Sequence, residues 1–380
     1  MENFFKNYTI ELGEQKPTVI QWQTRVYQDG TLPMCRDKDG TLWAISGHSH
    51  AGRIAMYKGT KIDDLKEVCT VATNFCVGHA DYAFSGVRYP EGVKARGSIW
   101  PFGLYICPKT HRFFAFFHNE SGWNGKGTAY DSYGLCDDKP RGDSDFRHIG
   151  LMHSDDEGKN WTFDRWVITA NEVCFTDEYT PDGGQNVKGQ NAGAISLGSG
   201  DFTLFVDPYG EYMYIVYNII RFDMDKKDWI SCNAYIARSR KRDDGVIGDF
   251  VKYYNGSFSE AGNLGKETPI AKNAWHAKMS YLKKYDIYAL NYCEVKSGEL
   301  ADENKLVDDI VSVRFSKDML SYSEPLKLYR DGVRFGDPYS QFTSIDDTSP
   351  VSVIEGDEFA VLTNPNGGDM LYTAAKIVKK

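Results

Sequence analysis

The chain has 380 residues, with 53 acidic against 44 basic side chains and a net charge of −9. Hydrophobic residues make up 41% and aromatic residues 14%, enough for a large core, which excludes a disordered chain. The acidic balance, with only a short basic run at residues 238–242, argues against nucleic acid as a partner. No apolar stretch approaches the roughly 20 residues that cross a bilayer, so no membrane partner is expected.

The first ten residues carry Glu2 and Lys6 and no apolar signal core. The expected location is cytoplasmic as the sequence stands, or secreted or periplasmic if a leader has been removed. Eight cysteines form no CxxC pair. That weighs against a zinc ribbon or a thioredoxin-type site and fits buried thiols. Oligomeric state is left open.

In chain order, five segments share a turn with Gly or Asp, an aromatic-rich strand, and a polar residue at its end. They are residues 39–48, 113–118, 212–218, 286–291 and 359–364. Each is too short for a helix and rich in β-branched or aromatic residues. A further strand follows each, at 53–57, 148–153, 234–239, 310–315 and 370–375, and clear preceding strands read at 201–206, 276–282 and 348–354. Four antiparallel strands repeated five times describe an all-β fold, a five-bladed β-propeller, as a single domain over 1–380. The last repeat ends with three strands, so the N-terminal segment 8–22 is expected to supply the fourth and close the last blade. A six-bladed ring with a degenerate blade within 171–200 is the runner-up, and a β-sandwich would not need this period.

Ser154-Asp155-Asp156-Glu157-Gly158-Lys159-Asn160-Trp161 matches the sialidase-type Asp box, S-x-D-x-G-x-x-W, at every fixed position. The motif shapes an outer hairpin turn and marks fold rather than catalysis. With five repeats, the chain resembles the five-bladed carbohydrate-active propellers, the arabinanase, xylosidase and fructosidase-type glycoside hydrolases. The run from Gly200 to Gly210 is similar to their third-blade inner strand, which opens on an active-site Asp, here Asp201. Gln28-Asp29-Gly30-Thr31-Leu32-Pro33 stands where their first blade carries a catalytic Asp, which implies Asp29. The Asp-Pro of that first blade and the Glu-Gly-Pro that carries the family's acid are both absent. Asn273 to Met279 also resembles the Trp-His opening of an inner strand in a metal-dependent amino-sugar deacetylase built on a propeller. That enzyme's His-x-x-Asp has its nearest match in His79-Ala80-Asp81, one residue shorter.

Aligning the repeats brings together inner-strand starts at Asp29, Asp81, Asp201, His276 and Asp347. It also aligns the next strands' ends at His48, His118, Asn218, Asn291 and Asn364, with Glu120 two residues past His118. Turns flanking strands are rich in Asp and Asn for backbone reasons alone, so the pattern across repeats weighs more than any member. Glycoside hydrolysis needs two carboxyl groups, one protonating the leaving oxygen and one activating water or attacking the sugar. The expected catalytic set is Asp29 and Asp201, with Glu120, Glu260 or His276 as the acid. Glu260 lies in a long aromatic, Gly-rich loop between repeats, at 252–266, that suits sugar stacking. His48, His118, Trp123, Trp275, His276, Asn218, Asn291 and Asp347 are the expected substrate contacts, with Trp123 on the long insertion 122–146. The expected function is a glycoside hydrolase acting on a poly- or oligosaccharide, with no cofactor required. The alternatives are a metal-dependent, deacetylase-like hydrolase, with His79, Asp81 and His276 holding one Ca, Zn or Mn ion in the central channel, and a non-catalytic glycan-binding propeller.

Overall fold

The computed structural model describes residues 6–21, 28–48, 53–72, 87–88, 98–120, 147–170, 194–223, 228–295, 310–336, 339–365 and 369–380. Its elements are strands, interrupted by single 3-10 turns at Ile62–Asp64 and Lys283–Tyr285. Alternating β-branched and aromatic residues between Gly- and Asp-rich turns leave the backbone no helical alternative.

Most of the described strands fall into five antiparallel meanders, the second and third of them joined by a parallel bridge between Arg147 and Gly198. Sheet I contains Met34–Arg36, Leu42–His48, Arg53–Gly59 and Lys66–Ala72. Sheet II contains Ser98–Ile106, Phe113–Glu120, Arg147–Ser154 and Trp161–Ile168. Sheet III contains Ala194–Val206, Tyr212–Asp223, Asp228–Arg240 and Val251–Tyr254. Sheet IV contains Ala274–Leu282, Ile287–Glu294, Val311–Ser316 and Leu326–Lys327. Sheet V contains Gln341–Thr343, Glu358–Thr363, Leu371–Lys379 and, from the other end of the chain, Tyr8–Pro17. The N-terminal strand thus completes the last sheet, as the repeat arithmetic requires. All five repeat segments of the sequence are second strands of their sheets.

Each consecutive pair of sheets shares its own apolar layer. Trp43 and Met56 pack with Phe113 and Trp161, Phe114 and Phe116 with Phe202 and Ile215, and Phe205 and Val216 with Met279 and Leu290. Leu282 and Ile287 pack with Phe342 and Val361, and Leu362 and Met370 return to Leu32 and Leu42. The fifth layer joins the last sheet to the first, so the sheets form a closed ring around their inner strands, a propeller arrangement that leaves no open interface.

Two details of the sequence reading change. The stretch 348–354 is not an inner strand. Val353–Ile354 pairs in parallel with Tyr281 and Leu282 of sheet IV, and the inner strand of sheet V is Gln341–Thr343. Between them the chain reverses on Asp346, whose Oδ1 accepts from the Thr348 and Ser349 amides at 2.7 and 3.0 Å. Residues 154–161 form a turn between the last two strands of sheet II: Ser154 Oγ accepts from the Gly158 amide at 2.8 Å, Asp156 Oδ1 accepts from the Asn160 amide at 2.9 Å, and Trp161 is buried. Gly158 has φ 87°, and a Cβ there would lie 2.4 Å from Met56 Cγ of sheet I, so glycine is required.

Candidate active site

Where they reach the axis, the inner strands lose register. The ladder slips between Gly200 and Thr203 and between Trp275 and Lys278. Asp201 and His276 sit in these bulges in the left-handed region, with φ 42° and 50°. Such backbone is held only where its surroundings over-determine it. Here the preceding sheet does so. The Asp201 amide donates to His118 Nδ1 at 2.8 Å, and the His276 amide donates to Asn218 Oδ1 at 2.7 Å. In the same way the Phe342 amide donates to Asn291 Oδ1 at 3.3 Å. The amide nitrogens of these asparagines donate onward, Asn218 to the Ala274 carbonyl at 2.6 Å and Asn291 to the Ser340 carbonyl at 2.6 Å. Asn364 likewise donates to the Gln28 carbonyl.

Three carboxyl groups meet here, Asp201 from its bulge, Glu120 from the end of Phe113–Glu120 and Asp29 from the segment before Met34–Arg36. Asp29 Oδ1 accepts from the Tyr339 hydroxyl at 3.0 Å and its Oδ2 from Trp100 Nε1 at 3.2 Å. Asp201 Oδ2 accepts from Arg147 at 2.6 Å and from Trp275 Nε1 at 3.1 Å. Glu120 Oε1 lies 2.8 Å from His118 Nε2 and 3.3 Å from Arg147. Arg147 therefore joins Glu120 to Asp201, while Trp100, Trp275 and Tyr339 wall the cluster. Asp29, Glu120, Arg147, Trp275 and Tyr339 are only partly buried, so the cluster is open to approach.

The environments push the three acids apart. Burial drives Asp29 up to about 6, with the charges of Glu120 and Asp201 adding to it and the bonds from Tyr339 and Trp100 opposing. Burial would also raise Asp201, but the Arg147 guanidinium, with His118, His276 and Trp275, outweighs it and holds the carboxyl at about 2. For Glu120, Arg147 and then His118 overcome burial and lower the value. His276 is buried against Phe102 and Tyr339, both at 4.9 Å between ring centroids. Burial lowers its pKa to about 4, so the imidazole is neutral at pH 7. Among the described residues, neither of its ring nitrogens has a hydrogen-bond partner.

Asp29, Asp201, Glu120, His118, Trp275 and His276 are thus brought together. The other expected site residues divide. His48 stacks on Trp100 at 5.0 Å and backs it. Asn218 and Asn291 are fully engaged as latches between sheets, which corrects their reading as substrate contacts: their polar atoms are consumed by backbone. Asp347 is exposed in the turn after sheet V's inner strand, which removes it from the axis. Glu260 is on Ser257–Ala261, an added outermost strand of sheet III, where its Oε2 accepts from the Lys266 amide at 3.2 Å. It is therefore no candidate for the acid. His79, Asp81 and Trp123 lie outside the described residues. Sequence reasoning missed Arg147, Trp100 and Tyr339. Arg147 was within reach, because the register that pairs His118 with Ile149 also sets Glu120 opposite Arg147, an opposite-charge pair at the strand ends.

His118, Glu120 and Asp201 each offer one ligand atom within 4.8 Å of the others, a donor set that suits a divalent ion. The guanidinium already bonded to both carboxylates does not fit an additional cation there, because it supplies the positive charge that an ion would bring. His276 is not part of this set.

The chain matches no protein-family model and no curated protein. Among solved structures it is similar to a family 117 glycoside hydrolase from Zobellia galactanivorans, at 11% identity and TM-score 0.49 over 97% of this chain and 90% of that one. An endo-arabinase from Bacteroides thetaiotaomicron shares 12% identity at TM-score 0.45, over 96% and 98% of the two chains. An α-L-arabinofuranosidase from Lactobacillus brevis shares 12% at 0.46, over 93% and 91%.

Proposed function

We propose that the protein is a glycoside hydrolase acting on a poly- or oligosaccharide at the Asp29–Asp201–Glu120 cluster. The observation that carries this reading is three carboxyl groups gathered at one place in unlike surroundings, Asp29 held by Tyr339 and Trp100 and Asp201 by Arg147 and Trp275; burial raises Asp29 to about 6, and Arg147 holds Asp201 low. Paired carboxyl groups whose surroundings drive them apart divide into a proton donor and a permanent anion. Glu120 is held ionised by Arg147, and His276 is neutral, which leaves Asp29 as the donor. Its Oδ1 keeps the Tyr339 hydroxyl while the protonated oxygen gives its proton to the leaving glycosidic oxygen. Asp201 Oδ2 is engaged by Arg147 and Trp275, so Oδ1 is the atom that activates water or meets the sugar carbon. Trp275 and Tyr339, both only partly buried, supply aromatic faces for the apolar side of a sugar ring. A metal plays no part in this reading.

The test is release of reducing sugar from a panel of glycans. Asp29→Asn and Asp201→Asn should each lower turnover by about 10²–10⁴-fold, and turnover by the unaltered protein should fall as pH rises through about 6. Both variants working at the full rate on a verified substrate would refute the reading. A rate that instead climbs through that pH would show that Asp29 acts in its ionised form and would overturn its role as the proton donor.

A further inference from the structure

The axis opens into a second cavity beyond the acid cluster. Inner strands of sheets I to IV line it through their later residues, Met34, Leu104, Leu204 and Val206 among them, and the segment 350–352 forms part of the wall. The space between atoms is about 820 Å³, its open mouth included. Phe102 belongs to both spaces. Its ring meets His276 and His118 on the acid side, at 4.9 and 5.5 Å between centroids, and it also lines the cavity.

Among the described residues the cavity wall carries no carboxylate, although the chain has 53. The cations among those residues are Arg36 and Lys278. Arg36 directs its guanidinium to the backbone carbonyls of Gly40, Thr60, Asp346 and Ser349. The Lys278 amine donates to one carbonyl, that of Leu204, at 2.9 Å. Among the described residues no carboxylate pairs with it, and burial alone draws it down to about 8. A partly buried amine with one hydrogen bond, and no paired carboxylate among the described residues, is costly to keep charged. An anion seated beside it would offset that cost.

We propose that this cavity binds a small organic carboxylate with an apolar body, its head group paired with Lys278 Nζ and its chain against Phe102, Leu104, Leu204 and Val206. Phosphate or sulfate would need several convergent donors, which the wall does not offer. A neutral apolar molecule would leave the amine uncompensated. The site shares Phe102 with the acid cluster but none of its carboxyl groups, and the proposal does not depend on what that cluster hydrolyses.

Calorimetric titration of the full chain at pH 7 with hexanoate, and with its neutral counterpart hexanamide, tests the proposal. Hexanoate should bind, and hexanamide should bind about tenfold more weakly or worse, as expected when a charge-assisted contact is lost. Lys278→Met, which keeps the stem and removes the charge, should weaken hexanoate by a similar factor. Val206→Phe, which fills the cavity without touching the amine, should weaken it too. Equal binding of acid and amide, retention of hexanoate by the Lys278→Met variant, equally tight binding of inorganic phosphate, or no binding at millimolar hexanoate would each overturn the proposal. The acid–amide comparison uses only the unaltered chain, so it decides the matter even if a variant fails to fold. Sugar release measured in parallel reports on the acid cluster independently.

Discussion

Asp29 and Arg147 show that the same cluster strains the protein and holds it together. An acid whose pKa is raised on folding binds its proton more tightly in the folded chain, so stability is lost as pH climbs from the unfolded value toward the folded one. For Asp29, rising from 3.8 to about 6, the loss is on the order of 3 kcal/mol by pH 7. Asp29→Asn cannot ionise and escapes this loss, although its NH₂ group will face one of the two donors that now hold the carboxylate. The expected result is that the variant gains on the unaltered protein as pH rises from 4 to 7, read as the difference in denaturation midpoint. A difference that stays flat across that range would mean that Asp29 titrates normally. Arg147 has the opposite sign. Asp201 is depressed to about 2 and Glu120 is lowered as well, so their contribution is present above the unfolded carboxyl range and lost as pH falls through the folded values. Arg147→Met leaves two carboxylates facing each other and should cost about 3–5 kcal/mol near neutrality, the scale for breaking a buried pair. The deficit should shrink toward pH 4, where the variant's acids take up a proton. An equal deficit at both pH values would show that packing, not charge, is what Arg147 contributes.

The second strands carry the most regular device in the molecule, a polar side chain at the end that holds the next sheet's inner strand. Asn291 makes three such bonds, donating to the Ser340 carbonyl and hydroxyl and accepting from the Phe342 amide. Asn291→Ala would leave a buried amide and carbonyl unpaired, at about 1–3 kcal/mol each, while touching none of the acids. Chemical denaturation should show that loss, with turnover per folded molecule changed less than about tenfold, well short of the loss for removing a positioned acid. A catalytic collapse with unchanged stability would return Asn291 to the substrate contacts. This element was legible in the sequence as a pattern but not as a role, because an alignment of polar residues does not say whether they face a ligand or a backbone. The same holds for Glu260. Its surroundings read as a long loop, yet Asn255-Gly256, with φ 46° and 95°, is the two-residue hairpin signal that folds Ser257–Ala261 back onto Val251–Tyr254 and carries Glu260 outward. Asp347 was misplaced because the inner strand of sheet V, Gln341–Thr343, has only three residues and gives too little periodicity to read. Glu120 was legible because it ends the strongly apolar strand Phe113–Glu120, whereas Asp29, outside any strand, and Asp201, inside Ala194–Val206, were reached through the repeat alignment and the family resemblance.

At the scale of the whole molecule, stability depends on one long-range closure. Tyr8–Pro17 pairs with Leu371–Lys379 from Tyr8 opposite Lys379 to Pro17 opposite Leu371, with one register shift between Leu12 and Gln15. The pairing continues past the strand, where the Thr18 amide donates to the Met370 carbonyl at 2.9 Å and the Met370 amide to the Ile20 carbonyl at 3.1 Å. Ile10 is buried in the layer between sheets IV and V with Phe359 and Ile377, and Tyr8 packs edge-on against Tyr285 of sheet IV at 5.2 Å. These contacts span nearly the full length of the chain, so they are entropically the hardest to form. They also cover the outer edge of Leu371–Lys379. Deleting residues 1–17 would expose the outer edge of Leu371–Lys379 and part of that apolar layer. The truncated chain should lose its cooperative unfolding transition and associate, because an unpaired, partly apolar edge is a template for another chain. A synthetic peptide of residues 6–21 added in excess should restore a monomer with a cooperative transition, since the missing strand brings both the ladder and the Ile10 contact. Light scattering and thermal unfolding, each with and without the peptide, read both effects. A truncated chain that stays monomeric and melts cooperatively near the full-length midpoint would show that the ring holds without its terminal strand, and the closure would then be a consequence of the fold rather than a condition for it.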